Sequence, residues 1–341
     1  MADRKQKPRI FFVGGTGYIG GTILEMMLTK GYLDRFVISA MTRRLEDADT
    51  MRSLGIEPVM GSLDDLTLLR KESSRSSIVF SMANCDDVPS ARALAQGLVD
   101  RASQTGERPV LIHTSGAGVL SDNSTGRGDA LENDPGAFLW DDADAAAHAA
   151  IPDHAPHRHV DLEVFAASKT GLIKTYLVVP PTAFGRGLGP FAKDRMSIQL
   201  PRLIYQSLRA GRAMYVGEGK AQWTNVHVRD LAELYILLSE AALKDEAPEG
   251  LAGLYYPATE LFTWSDVSVR IGQILYDKGL IGDPIPTSGL PGGWFWGSNV
   301  RMISTNGANL GWKPTRGGTR EMLDAIGWDA ELMLNMLQER A

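Results

Sequence analysis

A glycine triplet spaced G-x-x-G-x-x-G closes the first β-branched run of the chain and opens its first helical stretch. The segment reads Val13-Gly14-Gly15-Thr16-Gly17-Tyr18-Ile19-Gly20. Ile10–Val13 has the apolar make-up of a buried strand, and the pattern predicts a helix over Gly17–Lys30 that stops at Gly31. Placed so, Gly14 makes the tight turn, Gly17 lets backbone approach a pyrophosphate, and Gly20 allows helix and sheet to touch. Thr16, Tyr18 and Ile19 complete a turn whose free N–H groups and helix dipole favour phosphate.

The alternation continues. Strands are predicted at Arg35–Ala40, Pro58–Met60, Ser77–Met82 and Val110–Thr114, with helices at Thr50–Leu54, Leu63–Lys71 and Ser90–Ser103. Strand and helix in strict turn make right-handed βαβ units, hence an α/β Rossmann-type fold: a doubly wound parallel sheet covered on both faces. A chain of 341 residues has room for more than that. We expect a dinucleotide-binding domain over 1–185 and a smaller C-terminal α/β substrate lobe over 186–341, with some return to the first domain around 221–245. Residues 116–159, with acidic Asp129, Glu132, Asp134, Asp141, Asp142 and Asp144 and four of the six histidines, have little periodicity. Such a stretch reads as an active-site loop or a disordered insert. A helix resumes near Val160 and a strand at Thr175–Val179; further helices are predicted at Gln199–Ala210 and Asp230–Lys244.

Composition narrows the partners. Net charge of -6 provides no broad basic field, so nucleic acid is not expected. There is no apolar run of about 18 residues to span a membrane, and the few apolar residues after Arg9 are too short for a signal segment. Cys85 is the single cysteine, which excludes an internal disulfide and fits a reducing, cytoplasmic setting. A small-molecule substrate is the expected partner, and a homodimer is compatible with the pattern.

The second strand decides the cofactor. An NAD site ends this strand in a carboxylate for the ribose hydroxyls, but here Ile38-Ser39-Ala40-Met41 is followed by Thr42-Arg43-Arg44. A guanidinium there suits a 2′-phosphate, so Arg43 and Arg44 favour NADP(H) over NAD(H).

Further segments fall in a fixed order. Met41-Thr-Arg43 is followed by Gly61-Ser62-Leu63-Asp64-Asp65, then His113-Thr114-Ser115-Gly116, Val179-Pro180-Pro-Thr-Ala-Phe-Gly185, Trp223-Thr-Asn-Val-His227-Val-Arg-Asp230 and Leu310-Gly-Trp312-Lys-Pro314. In this set the chain resembles the short-chain dehydrogenase/reductase superfamily, in its extended and atypical, epimerase/dehydratase-like branches. The resemblance implies that Ser62 and Leu63 flank the adenine, that Pro180 borders the cofactor, and that Ser115 bonds a substrate carbonyl.

The departure lies at the chemistry. The family's reductases pair a tyrosine with a lysine four residues on, and none of the nine tyrosines here has one. His157 and Asp161, at i and i+4, take the two positions and would face the same way on a helix. A histidine beside a carboxylate is a fit acid–base pair near neutral pH. The spacing of His154, His157 and His159 matches no zinc pattern, so no metal is expected. Cys85 reads as packing, His113 as a core or pocket histidine, and His227 as a structural hydrogen-bonding residue. Pocket-lining candidates are Trp140, Phe184, Arg186, Met196, Tyr205 and Trp223, with Trp294 and Trp296, which suggest an aromatic or polycyclic ketone or enone. Three readings follow: an NADP(H)-dependent oxidoreductase of secondary metabolism; a non-redox isomerase, dehydratase or cyclase with a His/Asp site; or an NmrA-like protein that senses NADP(H).

Overall fold

The computed structural model describes residues 7–122, 125–127 and 139–338. Asp129, Glu132 and Asp134 of the acidic stretch lie outside them.

The first half follows the predicted alternation: β1 (Arg9–Val13), α1 (Tyr18–Thr29), β2 (Val37–Thr42), α2 (Leu45–Ser53), β3 (Glu57–Met60), α3 (Leu66–Ser74), β4 (Ile78–Ser81), α4 (Val88–Thr105) and β5 (Val110–Thr114). Helix ends obey local chemistry. Gly31 takes φ 74° just past α1, Asp65 and Asp87 accept N–H groups at the starts of α3 and α4, and Gly106 ends α4 in the left-handed region. Several boundaries move: the helix expected at Leu63–Lys71 lies at Leu66–Ser74, and the one expected at Ser90–Ser103 spans Val88–Thr105. Tyr32–Arg35 forms a helical turn, so β2 starts at Val37 rather than Arg35. α2 begins at Leu45 rather than Thr50, because buried Asp47 holds Thr42 and Arg44 across its first turn.

After α5 (Arg158–Ser168) and β6 (Lys174–Val178) come β7 (Thr182–Phe184), α6 (Gln199–Ala210), β8 (Gln222–His227), α7 (Val228–Leu243), β9 (Leu254–Tyr255), β10 (Leu261–Thr263), α8 (Trp264–Asp277) and α9 (Thr319–Gln338). Seven strands form one sheet in the order β9-β6-β5-β4-β1-β2-β3, and every pair in it is parallel. Pro58 sits in the edge strand β3, where a missing N–H does no harm. Phe12 and Phe80 stack at 4.5 Å on one face, each contributing about 1.5–3 kcal/mol by its burial. α7 packs on α1 and β9 joins the sheet, so the first domain draws elements from both sides of residue 245. The remaining lobe is built from α6, α8 and α9 with the sheet β10-β8-β7.

Strand order reverses between β1 and β4. The crevice at the carboxyl ends of these strands is where a ligand settles in such sheets. The described part of the long acidic stretch is firmly placed rather than loose: Leu139–Asp141 pairs with Arg301–Ile303, and buried Asp142 accepts from the N–H groups of Tyr256 at 2.8 Å and Asn306 at 2.7 Å.

Candidate active site

The glycine turn lies at the carboxyl end of β1. Gly14 has φ 104°, and a Cβ there would stand 2.8 Å from the Ala83 nitrogen at the end of β4; a Cβ on Gly20 would stand 2.3 Å from Gly14 O. The turn and helix are therefore as close as backbone allows. Gly17 caps α1 with no side-chain bond to its N–H groups, and no acidic residue occupies the first turn. Those donors are left for an anion, the observation by which a dinucleotide pyrophosphate fits here. Thr16 is half-buried in the turn, Ile19 packs on the core behind it, and the Tyr18 hydroxyl donates to Gly185 O at 2.6 Å. Tyr18 thus ties the turn to the segment after β7.

The two arginines after β2 differ. Arg44 is committed to Asp47 through Nε at 3.1 Å and Nη2 at 2.8 Å. Arg43 is exposed and has no ion-pair partner among the described residues. Ser62 turns its hydroxyl to Asp64 at 3.2 Å, and Leu63 packs against the core. Pro180 is buried, its carbonyl accepting from Ala117 N.

The reacting groups gather at the carboxyl ends of β4 and β5. Ser115 follows β5 and is anchored by its N–H to Val178 O at 2.9 Å. Asp161, on the inner face of α5, is 2% exposed. Burial pushes its carboxyl up to about 7, with the facing Ser115 hydroxyl, then Arg158 and His159, pulling it down. Neither Ser115 Oγ nor Asp161 Oδ1 has a hydrogen bond of full geometry, and both atoms are buried.

His157 departs from expectation. It precedes α5 with φ 67°, so its ring leaves the helix face that carries Asp161. Its Nδ1 lies 2.8 Å from Asp86 Oδ1 and 3.2 Å from Cys85 Sγ, both in the loop after β4. Asp86 accepts from Nδ1, which leaves the lone pair on Nε2. That atom borders Gly116: a Cβ there would be 2.9 Å from it. The i, i+4 pairing of His157 with Asp161 is thereby corrected. Asp161 belongs with Ser115, and His157 with Asp86, a residue the sequence reading missed. Burial, then Asp86, holds the Cys85 thiol up to about 12. His113 is pushed down to about 4 by burial and then by His157, with Nδ1 3.1 Å from Ser81 Oγ. His227 caps α7 by accepting from Arg229 N.

Several expected wall residues are interior. Phe184 is 0% and Trp223 2% exposed; Trp223 packs edge-on to Trp264 and donates to Ser298 O. Trp140 is buried in the same core. These three have little or no accessible surface to offer a ligand. Tyr205 faces solvent on α6 beneath Arg209. Arg186 is exposed and 3.6 Å from Asp194, and Met196 is half-buried. The aromatic that does reach the reacting groups is Trp294, on the short helical turn Trp294–Gly297. It meets the His157 ring edge-to-face at 5.8 Å and covers Gly118, where a Cβ would lie 2.5 Å from its ring.

The NmrA-like family model matches residues 6–114, and that of the NAD dependent epimerase/dehydratase family matches residues 154–250. Oxidase ucsJ of Acremonium sp is 29% identical over 334 residues, covering 90% of this chain and 92% of the relative. A 4-hydroxy-2-methyl-3-oxo-4-farnesyl-3,4-dihydroquinoline-1-oxide ketoreductase of Stigmatella aurantiaca is 28% identical over 125 residues, covering 33% of this chain and 35% of the relative. Among solved structures, UDP-glucose 4-epimerase of Thermotoga maritima has the same fold, with TM-score 0.63 at 15% identity, covering 96% of this chain and 99% of that one.

Proposed function

We propose that the chain, whose residues 6–114 and 154–250 match the NmrA-like and NAD dependent epimerase/dehydratase family models, is a short-chain dehydrogenase/reductase-type, NADP(H)-dependent oxidoreductase acting on a small aromatic or polycyclic carbonyl compound. The observation that carries this reading is the His157–Asp86 pair, which turns an imidazole Nε2 toward Gly116, next in the chain to Ser115 with its buried, unpartnered hydroxyl. Bound NADPH supplies a hydride to an electrophilic carbon. The chain's own groups manage the oxygen. Ser115 Oγ donates a hydrogen bond to it, and protonated His157 delivers the proton that turns the alkoxide into an alcohol. In the oxidative direction neutral His157 takes that proton from the alcohol. Asp86 fixes the ring and stabilises its charged form, the part a carboxylate plays behind any acid–base histidine.

The cofactor is assigned to the Gly14, Gly17 and Gly20 turn, with Thr16, Tyr18 and Ile19 around it, and its 2′-phosphate to Arg43. Trp294 supports the aromatic substrate class, as a flat apolar surface against His157. The oxidase and ketoreductase names of the two relatives agree with redox chemistry on a carbonyl or its alcohol. Among the described residues no helix is long and apolar enough to cross a membrane, and we assign the protein to the cytoplasm and to secondary metabolism. The NmrA-like match over 6–114 favours a second reading, a sensor that binds NADP(H) without turnover.

The deciding experiment is calorimetric titration with NADPH and NADH, followed by NADPH-consumption assays against aryl ketones and enones. Tight NADPH binding with consumption that vanishes in His157→Ala supports the oxidoreductase. Binding without turnover of any substrate supports the sensor, and no dinucleotide binding overturns both.

A further inference from the structure

Three ligand-bearing atoms from two distant segments converge beside the reacting groups. Cys85 Sγ lies 3.2 Å from His157 Nδ1, which lies 2.8 Å from Asp86 Oδ1, and Sγ is 3.8 Å from Asp86 Oδ2. All three residues offer an atom within 4.8 Å of the others. The Nδ1 proton goes to Asp86 Oδ1, and the Cys85 thiol donates to Oδ2 of the same carboxylate at 3.8 Å. That contact is long, and the sulfur lies against the ring.

We infer that Cys85, Asp86 and His157 form a binding site for a divalent transition-metal ion of the zinc class. A tetrahedral zinc ion with ordinary Zn–S and Zn–N or Zn–O bonds sets its ligand atoms about 3.3–3.6 Å apart. The cluster's edges of 2.8, 3.2 and 3.8 Å bracket that spacing, and small rotations of the three side chains, each edge moving by about half an ångström or less, bring them to it. The ligand chemistry also fits: thiolate and imidazole select this class of ion over calcium or magnesium. Thiolate and carboxylate together carry the two negative charges that neutralise a dication, whose charge offsets the desolvation and the repulsion from Asp86 that hold the thiol up. The fourth position is open to water or to His159, whose Nε2 is 3.9 Å from Asp86 Oδ1. The sequence hides this site because Cys85-Asp86 and His157 are more than 70 residues apart.

Binding does not depend on the proposed reaction. One consequence does rest on that reading: a metal on Nδ1 moves the ring proton to Nε2, so His157 then donates toward Gly116 and no longer accepts a proton. An occupied site would shut down alcohol oxidation.

The probe is Co²⁺ added to the reduced, full-length protein, followed by visible absorption. We expect one Co²⁺ per chain, with tetrahedral d–d bands and a thiolate-to-cobalt charge-transfer band. Cys85→Ser should abolish the charge-transfer band, and Asp86→Asn, which removes a charged ligand, should weaken binding by about 10-fold or more, at least the loss seen on removing an outer-shell partner. His154→Ala, an exposed histidine outside the cluster, should leave the spectrum unchanged, and circular dichroism checks that each variant is folded. Absence of the thiolate band in the folded wild-type protein, or its persistence in Cys85→Ser, overturns the site. Since the readout is spectroscopic, a failed oxidoreductase assay leaves this result standing, and the converse holds.

Discussion

His157 reaches Asp86 at 2.8 Å across 71 residues of chain, and the contact exists because His157 takes φ 67° immediately before α5. A residue one step further on would be carried by the helix toward the core. The left-handed turn instead sends the imidazole over the loop after β4, where a carboxylate receives Nδ1.

Removing that carboxylate should therefore lower turnover without loosening the substrate. Asp86→Asn is expected to reduce kcat by about 100-fold or more, with KM little changed, since proton transfer by a positioned group is worth that much. His157→Ala should fall at least as far, and the double variant no further than His157→Ala alone, because the two act as a unit. Assays run with a chelator keep any bound metal out of the comparison. Additive losses in the double variant would separate the two residues.

The arginines after β2 should contribute unequally. Arg43 is unpaired among the described residues, whereas Arg44 already holds Asp47. Arg43→Ala is expected to weaken NADPH by about 1.5–3 kcal/mol, the worth of a charge-assisted bond, and to leave NADH binding unchanged. Arg44→Ala should affect the two dinucleotides alike, through the start of α2. Calorimetry with both cofactors distinguishes the cases, and equal losses of NADPH and NADH in Arg43→Ala would remove the 2′-phosphate assignment.

The parallel sheet was legible because periodicity and glycine punctuation are local. Gly14 and Gly20 stand where no Cβ fits, and the chain announces both within seven residues. The site was legible only in part. Ser115 and Asp161 do face one another, whereas helical spacing pairs Asp161 with His157 and ignores that a residue before a helix need not share its phase. Asp86 was not legible at all, being one of two adjacent aspartates in a short loop, the other of which caps α4. The aromatics failed for a different reason. Trp223 and Phe184 fill the interior as large apolar groups usually do, and only tertiary packing distinguishes them from Trp294.

Trp294 should govern which substrates fit. Its ring lies against His157 and Gly118, so Trp294→Ala removes the flat wall at the reacting groups. An aromatic contact of this kind is worth about 0.5–1.5 kcal/mol beyond its area. We expect KM for aryl ketones to rise by roughly tenfold, while KM for small aliphatic ketones moves little. Gly118→Ala should produce a weaker form of the same shift, because its Cβ would displace the Trp294 ring. Equal changes for both substrate types would count against Trp294 as a wall.

Asp329 gives a pH signature in stability. It sits in α9, 2% exposed, with Oδ2 unpartnered, and burial pushes its carboxyl up to about 7. An unfolded aspartate ionises near 3.9. Between these values the folded chain holds a proton that the unfolded chain has released, so this group's stabilisation is whole below about pH 4 and is lost as pH rises toward 7. His113, His148 and His227 work in the opposite sense: burial lowers each to about 4, so the unfolded chain binds the extra proton and stability rises from pH 4 to about 6.5. Asp142 and Asp161, also raised to about 7 by burial, act in the same sense as Asp329, so the wild-type curve is a near balance of three aspartates against three histidines, which conceals Asp329. Asp329→Asn removes one of the three aspartates and leaves the rest of the balance in place. The difference in unfolding free energy, variant minus wild type, should climb by on the order of 2–4 kcal/mol from pH 4 to pH 7.5 in urea melts. A flat difference across that range would mean that Asp329 is ionised in the folded protein.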